Sequence, residues 1–480
     1  MEKLQHETLK SEQVLHFFKE INKIPRGSGN EEAVSRYLYD FAVKRGLFAH
    51  RDSANNVIIK KAGTKGKENL APVALQGHMD MVCEKREDVI HDFEKDPIKY
   101  CVENGYIHAD GTTLGADDGI AVAMALTLLD SDTIPHPPLE VLITTDEEVG
   151  MLGAAAFDPS YISARRMINI DSEIEGVFTV GCAGGVKTHS HIPVTKVKTT
   201  APAYVFTLGG LQGGHSGIEI HKERGNANKL IFRFFAMLKE QLPDLALAEV
   251  NGGAKDNAIP RNAKMTVSTS APTDKIKAVS KTIENIFNTE LTGKDKLEIT
   301  LEKTKSEFVF DEKSTAALLA FAAFVPNGVQ TNNLILNMPE SSNNLGVVKT
   351  HENEVEFICA LRSGTASLKE MMRTKVEMLT KLCGGTLDCV GDYPGWEFNK
   401  NSKLLDLFVK EYKVVYGSAP VVETVHAGLE CGLIGKKIPD MDMISIGPNL
   451  LDIHTPQERA EIASIERVWK FLLHILDVIE

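Results

Sequence analysis

Short apolar runs recur along the first third of the chain and again near its end, and each stops at a polar motif. Leu70-Ala71-Pro72-Val73-Ala74-Leu75 leads into Gln76-Gly77-His78-Met79-Asp80, and Leu139 to Thr145 runs into Asp146-Glu147-Glu148. Met167-Ile168-Asn169-Ile170 leads into Asp171, and Met441 to Ile446 leads through Gly447-Pro448 towards His454. Brief apolar stretches bounded by Gly or Pro read as buried strands. Gly119 to Leu126 is apolar at almost every position and reads as a buried helix, with Asp117-Asp118 at its start, where a carboxylate gains from the helix dipole. In an open α/β sheet, ligands bind outside the carboxyl ends of strands. All of these motifs but Asp117-Asp118 follow a strand, so one crevice can gather them.

The middle of the chain has a different texture. After Gly181-Cys182-Ala183-Gly184-Gly185 it turns to Lys- and Thr-rich strands, and the polar motifs stop until His454. This predicts an inserted domain over 186–397, with 1–185 and 398–480 forming one discontinuous domain around it. Two stretches of the insert share an outline: Ala203 to Leu242 reads strand, Gly-rich turn, helix, and Asn344 to Leu382 reads hairpin, turn, helix. Their likeness suggests a duplicated α+β lobe. Gly213-Gly214-His215-Ser216-Gly217 is the most suggestive turn of the insert; with Ile218 following, it has neither the spacing of a nucleophile elbow nor the end of a phosphate loop.

Two histidines and three carboxylates drawn from the strand-end motifs make a nitrogen and oxygen donor set that suits Zn²⁺, with Mn²⁺ or Co²⁺ as substitutes. Five ligands close two four-coordinate sites only if one carboxylate bridges, which leaves an open position on each ion for water. A pair of ions roughly 3.5–4 Å apart generates a hydroxide nucleophile and polarises a carbonyl. The reaction class implied is amide hydrolysis.

Gln76-Gly77-His78-Met79-Asp80, Leu114-Gly115-Ala116-Asp117-Asp118-Gly119, Thr145-Asp146-Glu147-Glu148-Val149-Gly150, Asn169-Ile170-Asp171-Ser172-Glu173 and Ile453-His454-Thr455-Pro456-Gln457-Glu458 together resemble the motifs of the M20 metallopeptidases, in the family's order. The nearest likeness is to the aminoacyl-histidine dipeptidase branch, and it extends from Ile24-Pro25-Arg26 to the His454 motif. The resemblance implies an α/β fold: a mixed-sheet, di-zinc catalytic domain with an inserted α+β lid. It makes Asp117 the bridge, with His78 and Asp171 completing one site and Glu148 and His454 the other. It makes Glu147 the general base and Asp80 the partner of His78, roles that physics supports separately. A metal-bound imidazole needs an acceptor on its other nitrogen, and a glutamate beside two cations can move a proton from water to a leaving amine. A cis peptide is implied between Asp117 and Asp118.

In the insert, the resemblance makes His215 a donor to the oxyanion, places Asn257 near it, and sets Arg362 on the substrate carboxylate, for which a guanidinium fork is well shaped. His426-Ala427-Gly428-Leu429-Glu430-Cys431-Gly432 departs from the Gly-Thr-Asp-type loop of other members, and Gly428 and Glu430 are its candidate substrate contacts.

The remaining features set limits. The 480 residues, 43% hydrophobic, can bury more than one core, and a formal charge of −13 argues against nucleic-acid or anionic-membrane partners. The seven cysteines are scattered, odd in number and without a Cys-x-x-Cys pair, which fits a reducing compartment. Met1 to Glu7 opens a polar helix instead of an apolar signal core, and no apolar run is long enough to span a bilayer. The expectation is a cytoplasmic two-metal dipeptidase, monomer or homodimer, for dipeptides with a free C-terminus, including Xaa-His and β-alanyl-histidine. An N-acyl amino acid deacylase on the same scaffold is the alternative. A non-catalytic binding protein would lack a ligand or the base, and none is missing.

Overall fold

The computed structural model describes residues 2–291 and 293–480, with side chains described from Ser11 onward. Met1, which opens the N-terminal reading, lies outside the described residues. The chain forms two compact units: one comprises the chain through Gly181 with Phe398–Thr424 and Leu429–Glu480, the other Cys182–Glu397 with Val425–Gly428.

The first unit is built on an eight-stranded mixed sheet. Its strands are β1 (Phe48–Arg51), β2 (Val57–Lys61), β3 (Val73–His78), β4 (Leu139–Thr144), β5 (Arg166–Asn169), β6 (Val177–Cys182), β7 (Val421–Val425) and β8 (Asp442–Ser445). They lie in the order β1-β2-β4-β3-β5-β8-β6-β7. The four central strands β4, β3, β5 and β8 are parallel, while β2 joins β4, and β6 joins β8, antiparallel. Strands β3 and β4 are buried at every position. Parallel strands covered on both faces need such uninterrupted apolar runs. The run expected from Leu70 begins only at Val73, after Pro72, whose ring leaves no N–H for a central ladder. It continues through Gln76-Gly77 and ends on His78 itself.

Helix α1 (Glu2–Ile21) packs against α2 (Ala116–Asp130). In α2 nearly every residue from Asp118 to Leu129 is buried, as its apolar run predicts. Among the described residues no helix is long and apolar enough to cross a membrane, and no disulfide joins any of the seven cysteines.

The second unit carries a nine-stranded sheet. Two lobes share it, each running strand, helix, strand, strand, helix, strand. One lobe has strands Ala203–Gly209, Ala246–Gly252, Ala263–Ser268 and Glu298–Thr304, with helices Ala227–Gln241 and Thr273–Glu290. The other has strands Gly184–Pro193, Met338–Thr350, Glu354–Ser363 and Thr386–Tyr393, with helices Glu312–Phe324 and Ala366–Leu382. In both lobes the spatial order is fourth, first, third, second, all antiparallel. Two similar lobes are present, with one inserted between the first strand and first helix of the other, but the stretches that suggested them are not equivalent: Ala203 to Leu242 holds a first strand and first helix, Asn344 to Leu382 a second and third strand and second helix. The second strands meet through Gly252 and Val348, and one apolar core, including Phe206, Phe234, Phe321 and Phe357, runs beneath both lobes.

Candidate active site

In the first unit the strand-end motifs converge. His78 is the last residue of β3, Asp146 to Glu148 form the turn after β4, Asp171 lies two residues past β5, and Asp117 stands at the kinked start of α2. Gly77 lets that start press on the sheet, because a Cβ there would meet Asp118 Oδ2 at 2.5 Å and the Ala121 Cβ at 2.8 Å. The Asp117–Asp118 peptide is cis, as the resemblance implies.

Asp117 faces two ways. Its Oδ1 lies 3.2 Å from His78 Nε2, and its Oδ2 lies 3.1 Å from His454 Nε2. Asp171 Oδ1 stands 3.6 Å from the same His78 nitrogen, and Glu148 Oε1 stands 2.9 Å from the same His454 nitrogen. Donors on a four-coordinate zinc, with bonds of 2.0–2.1 Å, stand about 3.3 Å apart. Glu148 Oε1 is buried and, though close to the imidazole, makes no hydrogen bond, as expected of an atom aimed at a shared ion. Asp117, Glu148 and His454 offer one group of ligand atoms within 4.8 Å of one another, and His78 joins Asp171 in a second that also includes Asp118. The residues present fit two divalent cations sharing Asp117.

The charges point the same way. Burial would raise Asp117, but hydrogen bonds from His454 and His78 outweigh it and hold the carboxyl below the usual range. Burial pushes Asp171 up to about 6 and Glu173 up to about 7. Glu147 is also raised well above the carboxylate range, by burial first. His454 is raised to about 11, first by its hydrogen bond to Asp117 and then by the Glu148 carboxylate 2.9 Å from its Nε2. Burial opposes protonation of His78, yet Asp117, Asp171 and Asp80 raise it well above the ordinary value. The negative field that keeps protons on these imidazoles is the field a cation would displace them to enter.

Around the ligands lies a set of fixed contacts. Asp80 is fully buried; its Oδ1 lies 3.3 Å from His78 Nδ1 and also accepts from the Glu147 N–H at 3.1 Å. Its Oδ2 accepts from the Glu148 N–H at 3.3 Å and the Ser28 hydroxyl at 2.8 Å. The Asp80 carbonyl, 3.2 Å from His78 Nδ1, and its carboxylate together turn His78 Nε2 towards Asp117 and Asp171, and the carboxylate also holds the Glu147-Glu148 turn. Two further residues were quoted in the sequence motifs without a role. Arg26, buried, donates to the carbonyls of Met79 at 2.9 Å and Gly115 at 2.6 Å, tying the His78 loop to the α2 start. Glu458 accepts from the backbone N–H groups of Leu114, Gly115, Ala116 and Asp117. Its position four residues past His454 was the available signal; its reach to a distant helix was not.

Glu430 corrects the sequence reading. Expected as a substrate contact, it is wholly buried at the start of α3 (Glu430–Lys437), where its Oε2 accepts from Gln76 Nε2 at 2.6 Å and the Thr144 hydroxyl at 2.5 Å. Burial pushes its carboxyl up to about 8. A side chain without exposed atoms, engaged by β3 and β4 one repeat before His78 and Asp146, belongs to the scaffold beneath the ligands.

The second unit gathers its own polar cluster. His215 lies on the short strand Gly214–His215, paired with Ala258–Ile259, and the carbonyl of Asn257 accepts from the Ser216 N–H at 2.9 Å. His215 Nδ1 accepts from the N–H groups of Gly217 and Ile218, both at 3.2 Å, so the ring proton sits on Nε2. Burial, and then the Arg362 cation, lower its pKa, leaving a neutral Nε2–H donor. His426 shares a hydrogen bond of 2.7 Å with the Ser342 hydroxyl, and burial with Arg362 lowers it to about 3. A Cβ on Gly217 would stand 2.4 Å from the His426 carbonyl, 3.0 Å from His215 Cε1 and 3.2 Å from Arg362 Nε, so these three groups crowd one glycine. Gly428, half-buried, closes the Val425–Gly428 segment beside them.

Comparison with known proteins sets this geometry in context. The model of peptidase family M20/M25/M40 matches residues 74–478. The chain is 40% identical over 465 residues to the cytosol non-specific dipeptidase of Escherichia coli K12, covering 96% of each protein. Among solved structures it resembles the aminoacylhistidine dipeptidase of Vibrio alginolyticus, with a TM-score of 0.91 and 38% identity over 98% of this chain and 96% of that one. An aminopeptidase from Bacillus cereus, 16% identical over 97% of this chain and 98% of its own, shares the fold at a TM-score of 0.56.

Proposed function

The chain belongs to peptidase family M20/M25/M40, and from that premise we propose that this peptide-bond hydrolase is a two-metal dipeptidase for dipeptides with a free C-terminus, Xaa-His and β-alanyl-histidine among them. The observation that carries the reading is Asp117, which presents one oxygen to each ligand histidine. His78 and Asp171 would hold one ion and Glu148 and His454 the other, with Asp117 serving both; zinc would suit the donors best, with manganese or cobalt as substitutes. Bound there, the ions supply an activated water and polarise the scissile carbonyl.

The protein does the rest. Glu147 takes the proton of the attacking water and delivers it to the departing amine. Asp80 keeps His78 in its binding tautomer. In this reading the second unit contributes His215 as Nε2–H donor to the oxyanion, Asn257 beside it, Arg362 for the terminal carboxylate and Gly428 as a substrate contact. Dipeptidase relatives at 40% and 38% identity over nearly the whole chain support peptide over N-acyl substrates, and the first of them supports a cytoplasmic setting. Membership of a peptidase family and dipeptidase relatives do not favour a non-catalytic role.

The test is hydrolysis of β-alanyl-histidine, a panel of α-dipeptides and a panel of N-acetyl amino acids by chelator-stripped protein, with and without Zn²⁺ or Mn²⁺. Metal-dependent cleavage of the dipeptides is expected. Cleavage confined to the N-acetyl substrates would transfer the assignment to a deacylase, and inactivity throughout would end the hydrolase reading.

A further inference from the structure

Arg362 stands on the strand Glu354–Ser363, opposite Gly185 on the neighbouring strand. Among the described residues no carboxylate lies within 4.0 Å of its guanidinium. Its Nη1 donates to the Tyr393 hydroxyl at 3.0 Å. Its Nε is buried and has no hydrogen-bond partner. A charged donor enclosed in this way is costly to leave unmet, so the position calls for an acceptor.

The chemistry of that acceptor follows from which donors remain. A guanidinium grips a carboxylate with two parallel N–H groups, along either its Nη1–Nη2 edge or its Nε–Nη2 edge. Tyr393 occupies the first edge, so the second is the one left whole. The phenol is itself well held. Gly185 lies under its ring, where a Cβ would come within 2.7 Å of the ring carbons, and Lys369 donates to the Tyr393 carbonyl at 2.6 Å. Gly217 keeps a side chain off the Nε side, where a Cβ would stand 3.2 Å from that nitrogen.

We infer that Tyr393 is a specificity-determining positioning residue: by taking Nη1 it fixes Arg362 so that the Nε–Nη2 edge receives the terminal carboxylate of the dipeptide. The inference rests on the assignment of Arg362 to that carboxylate under the proposed function. It adds a residue that touches no substrate and yet sets how strongly a free C-terminus is preferred.

The experiment compares Y393F, R362A and R362K with the wild type, all metal-loaded, on one dipeptide and on its C-terminal amide. Losing one hydrogen bond to a charged group should raise KM for the free acid in Y393F about tenfold. Its kcat should stay within about twofold, and its kcat/KM for the amide should be unchanged, a split that a general loss of structure does not produce. R362K should resemble R362A, because an ammonium has no edge to offer. An unchanged KM in Y393F beside a raised KM in R362A would overturn the role of Tyr393 and leave Arg362 in place. Equal losses on acid and amide in R362A would overturn the carboxylate assignment itself, and this inference with it.

Discussion

Glu147 and Glu148 share one turn, yet their carboxylates meet different surroundings. Glu148 Oε1 lies 2.9 Å from His454 Nε2 and joins Asp117 and His454 as a ligand group. Glu147 has its N–H fixed by Asp80 at 3.1 Å, and its carboxylate lies near Glu148 and His78 without joining the Asp117–His454 group. Glu147→Gln should therefore keep both metals, measured by elemental analysis of the dialysed protein, and lose about 10²–10⁴-fold in kcat. Turnover at the wild-type rate would remove Glu147 as the base. The candidate ligands other than Asp117 were legible because each ends or follows a strand, where local pattern and chemistry coincide. Glu430 was misread because its Gly-containing segment looks like an exposed loop. Nothing local reveals that Gln76 and Thr144, more than 280 positions away in sequence, enclose it.

The start of α2 is the element on which the ligand arrangement turns. A helix leaves its first N–H groups without partners and carries a partial positive charge there. Glu458 accepts from four consecutive N–H groups just before and at the start of α2: Leu114 at 2.7 Å, Gly115 at 3.0 Å, Ala116 at 2.8 Å and Asp117 at 3.4 Å. Since the last belongs to the shared carboxylate residue, the cap also sets where Asp117 stands. Glu458→Ala should lower the unfolding free energy by about 2–3 kcal/mol, as buried donors lose a charged acceptor, and weaken metal binding; urea unfolding and metal titration check the two parts. Glu458→Gln, with one oxygen retained, should fall between. A wild-type urea midpoint in the alanine variant would show that solvent replaces the cap without loss. The sequence showed α2 as apolar and acidic at its start, but its cap arrives from the far end of the chain, which a window of neighbouring residues does not contain.

At the scale of the whole molecule, one stretch of each lobe was legible as an outline, whereas the remaining elements and the interleaving of the lobes were not. Placing Glu298–Thr304 beside Ala203–Gly209 needs a pairing across some ninety residues that no short pattern encodes, and the join between lobes rests on Gly252 and Val348. The electrostatic design was more visible. A chain of net charge −13 concentrates Asp80, Asp117, Asp118, Asp171, Glu147, Glu148 and Glu173 around two histidines at one sheet edge. Buried like charges cost free energy unless cations or protons compensate them. A ligand that binds only the folded form adds RT ln(1 + [L]/Kd), about 2.7 kcal/mol at a hundredfold excess over Kd. Removing the ions with 1,10-phenanthroline should accordingly lower the thermal midpoint by several degrees, on the scale of about 2–4 °C per kcal/mol for a unit of this size. Dipeptide hydrolysis should vanish in the same sample, and added Zn²⁺ should restore both. If stripped and reloaded protein unfolded at the same temperature, protonation alone would be balancing the carboxylates, and the cluster would not be a metal centre.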